Sequence, residues 1–505
     1  MMKRFLKFDH VTFEYETSAQ PLFSEISFHI SKGWTGVVGP NGAGKTTLLH
    51  LATGSLKPDL GFISRPESVL YCPQRTDDPP LNLKQLLNAE DKYAFRVRWM
   101  LGLQGEWPER WETLSHGERK RCQVGVALWQ EPDLLAVDEP TNHLDRESRQ
   151  FLLDALQSFT GVGLLVSHDR ELLDTLCRKC LFIHLSDVIV RPGGVTQGLA
   201  SEETEKKAAK KQFQIQKKSI KKLERESKRR QTLVESSKKK GSKRGLSKKD
   251  HDAKAKIDLG RLTGKDAKAG RLLKQMKGRV QRAKEELSSL SLQKEYDLGI
   301  WMSSVTSYRR HLVHLEKGFL HMGATKLFYP DLVIGNKDRI ALMGPNGSGK
   351  STLIRKIISE MALPEETLTY IPQEIDIRES QNLLKEALKL PGNKLGFLMA
   401  IIRRLGSNPE SLLESDTPSP GEVRKLMLAL GMTHLPQIII MDEPTNHMDL
   451  LSITCLEKAL ADCPCALILV SHDESFLKAL TNIRWHIQTK PELEQNELSI
   501  GTMNS

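Results

Sequence analysis

Two segments of this chain read Gly-Pro-Asn-Gly-x-Gly-Lys. One runs through Gly39, Pro40, Asn41, Gly42, Ala43, Gly44, Lys45, Thr46 and Thr47; the other runs through Gly344, Pro345, Asn346, Gly347, Ser348, Gly349, Lys350, Ser351 and Thr352. Glycines at this spacing let successive backbone N–H groups turn inward around phosphate oxygens, and the helix that follows presents its N-terminus to the same anion. Lys45 and Lys350 would then reach the β- and γ-phosphates of ATP, with the hydroxyls of Thr46 and Ser351 on Mg2+.

A phosphate loop alone can arise by chance, so its companions decide. Each copy is followed by an acidic pair at the end of an apolar run, Asp138-Glu139 and Asp442-Glu443. The Asp suits Mg2+ and the Glu beside it suits polarising the attacking water. Each pair continues into Pro-Thr-Asn-His and then into Asp145 or Asp449. Gln74 and Gln373 sit in matching Tyr-x-Pro-Gln contexts, placed to sense the metal or the water. His168 and His472 each close an apolar run as Ser-His-Asp, where a neutral imidazole suits the γ-phosphate. A lone histidine at a strand end is more often structural; recurrence in both copies reverses that reading. Tyr15, upstream of the first loop, is a candidate for stacking on adenine or an ordinary strand aromatic.

These residues need rigid elements to carry them. Trp34 to Val38, Leu134 to Val137 and Gly163 to Val166 are short apolar runs separated by helical stretches, as are Arg339 to Met343, Ile438 to Met441 and Ala466 to Val470. The pattern predicts two α/β domains, residues 1–198 and 312–488, with a linker at 199–311 and a short tail at 489–505. No proline falls between Gly193 and Tyr329, so long helices can run there. Ala209, Phe213, Gln216, Ile220, Leu223 and Ser227 alternate spacings of four and three, as do Leu273, Met276, Val280, Ala283, Leu287 and Leu290. Two such seams predict a helical hairpin, with the glycine-bearing stretch Lys238 to Lys268 as its tip.

Charge is concentrated in that linker. Residues 201–300 hold 31 Lys and Arg against 14 Asp and Glu, a net +17 in a chain whose formal total is +11, which leaves −6 elsewhere. The linker's partner is therefore a polyanion, nucleic acid or an anionic membrane surface. Phe213 is its only aromatic residue between 201 and 295, so phosphate contact and shape outweigh base stacking. Seven cysteines, an odd count, fit free thiols; Cys177 and Cys180 form a CxxC with no second pair to complete a zinc site. No apolar run reaches eighteen residues and Met1 to Tyr15 lacks a signal-peptide core, so a soluble, cytoplasmic protein is expected.

Together these motifs resemble the ATP-binding-cassette superfamily. Leu114-Ser115-His116-Gly117-Glu118 and Pro418-Ser419-Pro420-Gly421-Glu422 look like its signature loop, with His116 and Pro420 in place of the first glycine. The resemblance implies a head-to-tail sandwich within one monomer. Lys45 would face Ser419 and Lys350 would face Ser115, so that Ser115, Gly117, Glu118, Ser419, Gly421 and Glu422 join the ATP sites, and both sites hydrolyse.

Two fused cassettes, a basic helical linker and Glu-Pro-Thr-Asn-His in both halves are similar to the ABC-F family of ribosome-associated ATPases. That resemblance implies binding to the bacterial 70S ribosome at the exit site. The linker would be directed at ribosomal RNA, the P-site tRNA and the peptidyl-transferase centre, with no transmembrane partner. Only 29 residues separate Lys45 from Gln74, and the linker tip around His251 to Asp266 is similar to members protecting ribosomes from lincosamides, streptogramin A and pleuromutilins. A housekeeping translation factor would carry the same engine. An exporter ATPase gives no reason for a +17 hairpin, and a DNA-repair ATPase usually carries zinc modules for which the cysteine spacing gives no support.

Overall fold

The computed structural model of the chain describes residues 5–16, 20–142, 144–184, 186–240, 265–289, 307, 309–323, 325–361, 363–414, 418–446, 448–490 and 495–502. It divides into two compact units, one of Met1–Gly198 with Tyr296–Ser505 and the other of Leu199–Glu295.

The first unit holds both α/β domains. In the first, a six-stranded sheet runs in the order Val69–Cys72, Leu134–Asp138, Val162–Val166, Gly33–Val38, Cys177–His184, Asp187–Pro192, and only the last pair is antiparallel. Strands Leu134–Asp138 and Val162–Val166 are buried at every position, as the central strands of a parallel sheet covered on both faces are. Phe23–Ile30, Leu6–Phe13 and Leu60–Ser64 form a separate antiparallel sheet, whose Phe8, Phe23 and Ile26 pack with Leu48 and Leu49 of the P-loop helix.

The second domain repeats the plan. Gly318–Met322, Thr325–Tyr329, Gln495–Thr502, Ile483–Lys490, Arg339–Met343, Ala466–Val470, Ile438–Asp442 and Leu368–Ile371 lie side by side in one sheet. Here the stretch predicted as a tail is corrected. Gln495–Thr502 pairs antiparallel with Ile483–Lys490 and parallel with Thr325–Tyr329, and Asn496 is buried with its amide donating to Ser348 O at 3.0 Å. Alternating Leu498 and Ile500 is the strand signature; its brevity beside charged residues hid it.

In both sheets the strand ending in Ser-His-Asp lies between the P-loop strand and the acidic strand. This order brings three motifs, far apart in sequence, to one edge at the strands' C-terminal ends, where ligands bind in open α/β sheets.

The second unit contains helix Val195–Lys240 from residue 199 onward and helix Lys265–Ser289. The first helix has 46 residues and so runs about 70 Å, well beyond the seam from Ala209 to Ser227. Ile220 and Met276 are buried and Phe213, Gln216, Leu223, Ser227, Leu273, Val280 and Ala283 are half-buried, as the two seams require. Ala209 is exposed. Lys284 Nζ lies 2.7 Å from Glu224 Oε1, joining the two helices. The seam side chains of Leu287 and Leu290, and tip residues 241–264, lie outside the described part.

Candidate nucleotide sites

Each P-loop links a buried parallel strand to a helix that starts at its lysine, Lys45–Thr53 or Lys350–Ser359. The turn needs positive φ at Gly42 and Gly44 (79° and 91°) and at Gly347 and Gly349 (75° and 100°), a region open to glycine at no steric cost. Lys45 Nζ donates to Gly39 O at 2.9 Å and Pro40 O at 3.3 Å; Lys350 Nζ donates to Gly344 O at 2.8 Å and Pro345 O at 2.9 Å. Burial lowers the pKa of both lysines, opposed by Glu139 and Asp449 at the first and by Glu443 and Asp442 at the second.

The metal candidates gather as the sequence suggested. Thr46 Oγ1 donates to Asp138 Oδ2 at 2.7 Å and Ser351 Oγ donates to Asp442 Oδ2 at 2.6 Å. Gln74 lines the cavity of Thr46 and Asp138, and Gln373 that of Ser351. These are oxygen donors with a single carboxylate, the set that suits Mg2+ held jointly with phosphates. No cluster of three or more His, Cys, Asp or Glu that would cage a metal occurs among the described residues.

Glu139 and Glu443 adopt φ of 43° and 49°, a strained conformation for a residue with a Cβ, at the same point of both copies. Both are buried, and burial pushes each carboxyl up to about 7 despite the opposing pull of Lys45 and Lys350. Among the described residues neither Glu139 Oε1 nor Glu443 Oε1 accepts a hydrogen bond. Such an unused, basic acceptor in a polar cleft can take a proton from water. His168 Nε2 lies 3.2 Å from Glu139 Oε1 and His472 Nε2 lies 3.4 Å from Glu443 Oε1. Burial, with the nearby P-loop lysine, drops the imidazoles to about 3 and about 4, so both are neutral at pH 7. His472 Nε2 also lies 3.1 Å from Asn346 Oδ1. His143 and His447, which end the Pro-Thr-Asn-His segments, lie outside the described residues.

The signature serines cap helices His116–Trp129 and Pro420–Met432 through capping boxes. Glu118 N donates to Ser115 Oγ at 3.3 Å and Ser115 N donates to Glu118 Oε2 at 2.7 Å; Glu422 N donates to Ser419 Oγ at 3.4 Å and Ser419 N donates to Glu422 Oε2 at 2.9 Å. His116 and Pro420 hold the first helical position, where proline's missing N–H costs nothing. Gly117 and Gly421, at the next position of each helix, line the cavities at the facing sites.

The head-to-tail pairing is present. A cavity of about 560 Å³ is lined by Asn41, Lys45, Thr46, Gln74, Asp138, Glu139 and His168 of the first domain and by Ser419, Pro420 and Gly421 of the second. At the other site, Ser115, His116 and Gly117 line a cavity with Asn346 and Gln373, next to the one formed by Ser348, Lys350, Ser351, Glu443 and His472. Tyr15 lines the first cavity and its hydroxyl lies 2.9 Å from Thr47 Oγ1; Met322 stands at the second.

Several contacts escaped the motif reading. Asn41 N donates to Asp449 Oδ2 across the domains at 3.2 Å. Arg149 Nη1 donates to His472 O at 3.0 Å, and Arg170 Nη1 donates to Glu457 Oε1 at 2.9 Å while its Nη2 donates to Thr454 Oγ1 at 3.0 Å. Within each domain a buried cation ties the signature helix to the glutamine loop: Lys120 Nζ donates to Pro73 O at 2.6 Å, and Arg424, at the equivalent position, donates to Gln373 O. Their signal was a cation five residues after each signature serine.

A family model described as ABC transporter matches residues 23–142 and 330–446. The chain is similar to the ribosome protection protein VmlR of Bacillus subtilis, 28% identical over 93% of this chain and 84% of that protein. It is also similar to the tylosin resistance ATP-binding protein TlrC of Streptomyces fradiae (27%, 91% and 93%) and to the energy-dependent translational throttle protein EttA of Mycobacterium tuberculosis (26%, 88% and 84%). Among solved structures, RNase-L Inhibitor is similar with a TM-score of 0.62 over 97% of this chain and 90% of that one; at 18% identity the likeness is one of fold. The protein is thus an α/β protein with two ABC ATPase domains that binds and hydrolyses ATP. With two cassettes on one chain and a long helical segment between them, it resembles the ABC-F family. No helix among the described residues is long and apolar enough to cross a membrane.

Proposed function

We propose that this ATPase works on the bacterial 70S ribosome: ATP closes the two cassettes, the closed form binds in the exit site, and the linker tip acts near the peptidyl-transferase centre to dislodge lincosamide, streptogramin A or pleuromutilin antibiotics. The observation that carries this reading is the pairing of two nucleotide sites with a 46-residue helix in a segment of net charge +17. Relatives bearing the names ribosome protection protein, tylosin resistance protein and erythromycin resistance protein support it.

In the catalytic step, Glu139 and Glu443 orient and deprotonate the water that attacks the γ-phosphorus, while ADP leaves. Lys45 and Lys350, with the helix-terminal amides of Gly421 and Gly117 from the facing cassette, stabilise the charge on the phosphoryl oxygens. His168 and His472, being neutral, donate to the γ-phosphate without tightening the hold on product. Mg2+ would be held by Thr46 and Asp138, or by Ser351 and Asp442, and would supply neutralisation of phosphate charge. The closed form must bind the ribosome more tightly than the open one, since a ligand shifts an equilibrium only through differential affinity. Hydrolysis then permits release.

The test is pelleting with 70S ribosomes using the Glu139→Gln, Glu443→Gln double variant. ATP-dependent trapping is expected, and its absence counts against any ribosomal role. A second reading, a translation factor acting without drug, is favoured by the similarity to EttA. Susceptibility of a sensitive bacterial host separates the two: raised inhibitory concentrations support protection, and unchanged values for all three drug classes despite trapping support the factor.

A further inference from the structure

The two most exposed aromatic side chains among the described residues share one helix. Helix Lys92–Leu101 of the first cassette buries Ala94, Val97 and Leu101, while on its other side Phe95 is 65% and Trp99 75% exposed. Lys92 and Arg96 are exposed as well. At 100° per residue, Lys92, Phe95, Arg96 and Trp99 follow the i, i+3, i+4, i+7 rule and form a single stripe of alternating cations and aromatic rings.

The stripe stands on a fixed base. Asp91 caps the helix, accepting from Tyr93 N at 2.9 Å and Ala94 N at 2.7 Å, and its other oxygen takes Trp129 Nε1 at 3.3 Å, so this neighbouring carboxylate is engaged. Tyr93 OH donates to Leu128 O at 3.1 Å and Arg98 Nη1 donates to Leu86 O at 3.3 Å. None of the four stripe residues lines either nucleotide cavity.

Cations spaced between flat, uncovered rings match a partner that offers phosphates and free base faces at similar intervals. The linker, with Phe213 its only aromatic between 201 and 295, meets the first requirement and not the second. We propose that the Lys92, Phe95, Arg96, Trp99 face is a separate docking surface for RNA with unpaired bases. Phe95 and Trp99 stack on bases, and Lys92 and Arg96 neutralise the adjoining phosphates. The surface goes beyond the ribosomal reading and does not depend on it, because it is tested with isolated RNA.

The experiment uses the full chain with a labelled RNA stem-loop carrying about ten unpaired nucleotides, and a fully paired duplex of the same stem. Phe95→Ala with Trp99→Ala is expected to weaken stem-loop binding about tenfold or more and to leave duplex binding and basal ATPase activity unchanged; a stacked base is worth about 5- to 150-fold. Lys92→Gln with Arg96→Gln is expected to lower the salt slope of stem-loop binding by about 1.4. Because the linker also binds RNA, ultraviolet crosslinking followed by mass spectrometry supplies the direct readout, with nucleotide adducts expected on Phe95 or Trp99. Equal losses on stem-loop and duplex, or adducts confined to the linker with unchanged affinity, overturn the proposal. Loss of self-association or of protein binding in the aromatic variant, with RNA affinity intact, assigns the face to a protein partner and overturns it as well.

Discussion

The amide of Asn41 in the first P-loop donates to the Asp449 carboxylate of the second cassette at 3.2 Å. One carboxylate thus serves two domains, because Asp449 also accepts from Ser452 N at 2.7 Å and caps the helix Leu450–Ala461. Burial works against its charge, yet Lys425 and these hydrogen bonds hold its pKa below the usual carboxylate range. Closure of the first site is therefore coupled to the conformation of the loop after the second acidic pair.

Asp449→Asn keeps a capping side chain and removes the negative charge that Asn41 and Lys45 face. Steady-state ATPase assays are expected to show kcat/KM falling about tenfold, an effect of about 1.4 kcal/mol, with little change in melting temperature. A large drop in melting temperature would instead mark Asp449 as a helix cap alone.

Removing the unused acceptor oxygens of Glu139 and Glu443 by Glu→Gln at both positions is expected to lower kcat by a factor of about 100 to 10,000. ATP affinity should stay within a few fold, because the P-loop amides and lysines are untouched. Single-turnover hydrolysis and equilibrium nucleotide binding separate the two effects. Comparable losses in both measurements would contradict the assigned role.

The same glutamates set a pH dependence of stability in nucleotide-free protein. Their folded pKa of about 7 lies above the ordinary carboxylate value of about 4.3, so the native state binds the extra protons. Below the unfolded pKa they add no pH dependence; between about 4.3 and 7 the unfolded chain gives up these protons while the native state keeps them, so stability falls across that window and levels off above it. Glu139→Gln with Glu443→Gln is accordingly expected to raise the melting temperature by at least a few degrees at pH 8 and hardly at pH 4. Equal shifts at both pH values in a calorimetric scan would argue against burial as the cause.

Arg149 makes the sites unequal. Its guanidinium bonds to His472 O at 3.0 Å and lies 3.1 Å from Asp169, the residue after His168, whereas the equivalent position of the second cassette is the buried Ile453. Arg149→Ala is expected to slow hydrolysis about tenfold when Glu139→Gln leaves only the second site competent, and to change it less than threefold in the Glu443→Gln background. ATPase assays on the two double variants decide this, and similar losses in both would mean that Arg149 serves the interface generally.

Local chemistry made the engine legible. Gly42 and Gly44 with Lys45, Asp138-Glu139 and the Ser-His-Asp segments each carry their function in a few adjacent residues, and their repetition at Lys350, Asp442-Glu443 and His472 excluded chance. The linker seams were legible for the same reason, since Ile220 and Met276 fall on a helical period that burial respects. Strand Gln495–Thr502 was not, because eight residues at the end of a chain reveal their role only through the neighbours they pair with.

The sequence by itself singled out the groups proposed to hold phosphate, metal and water, because those requirements act over a few bonds. Tertiary structure alone decided that the Ser-His-Asp strand lies between the other two motif strands, that Ser419 faces Lys45, that Arg149 reaches His472 while Ile453 has no such reach, and that Phe95 and Trp99 stay uncovered. Such relationships join residues hundreds of positions apart, and side-chain contacts over that distance are fixed by how whole sheets and helices pack, which no local pattern encodes.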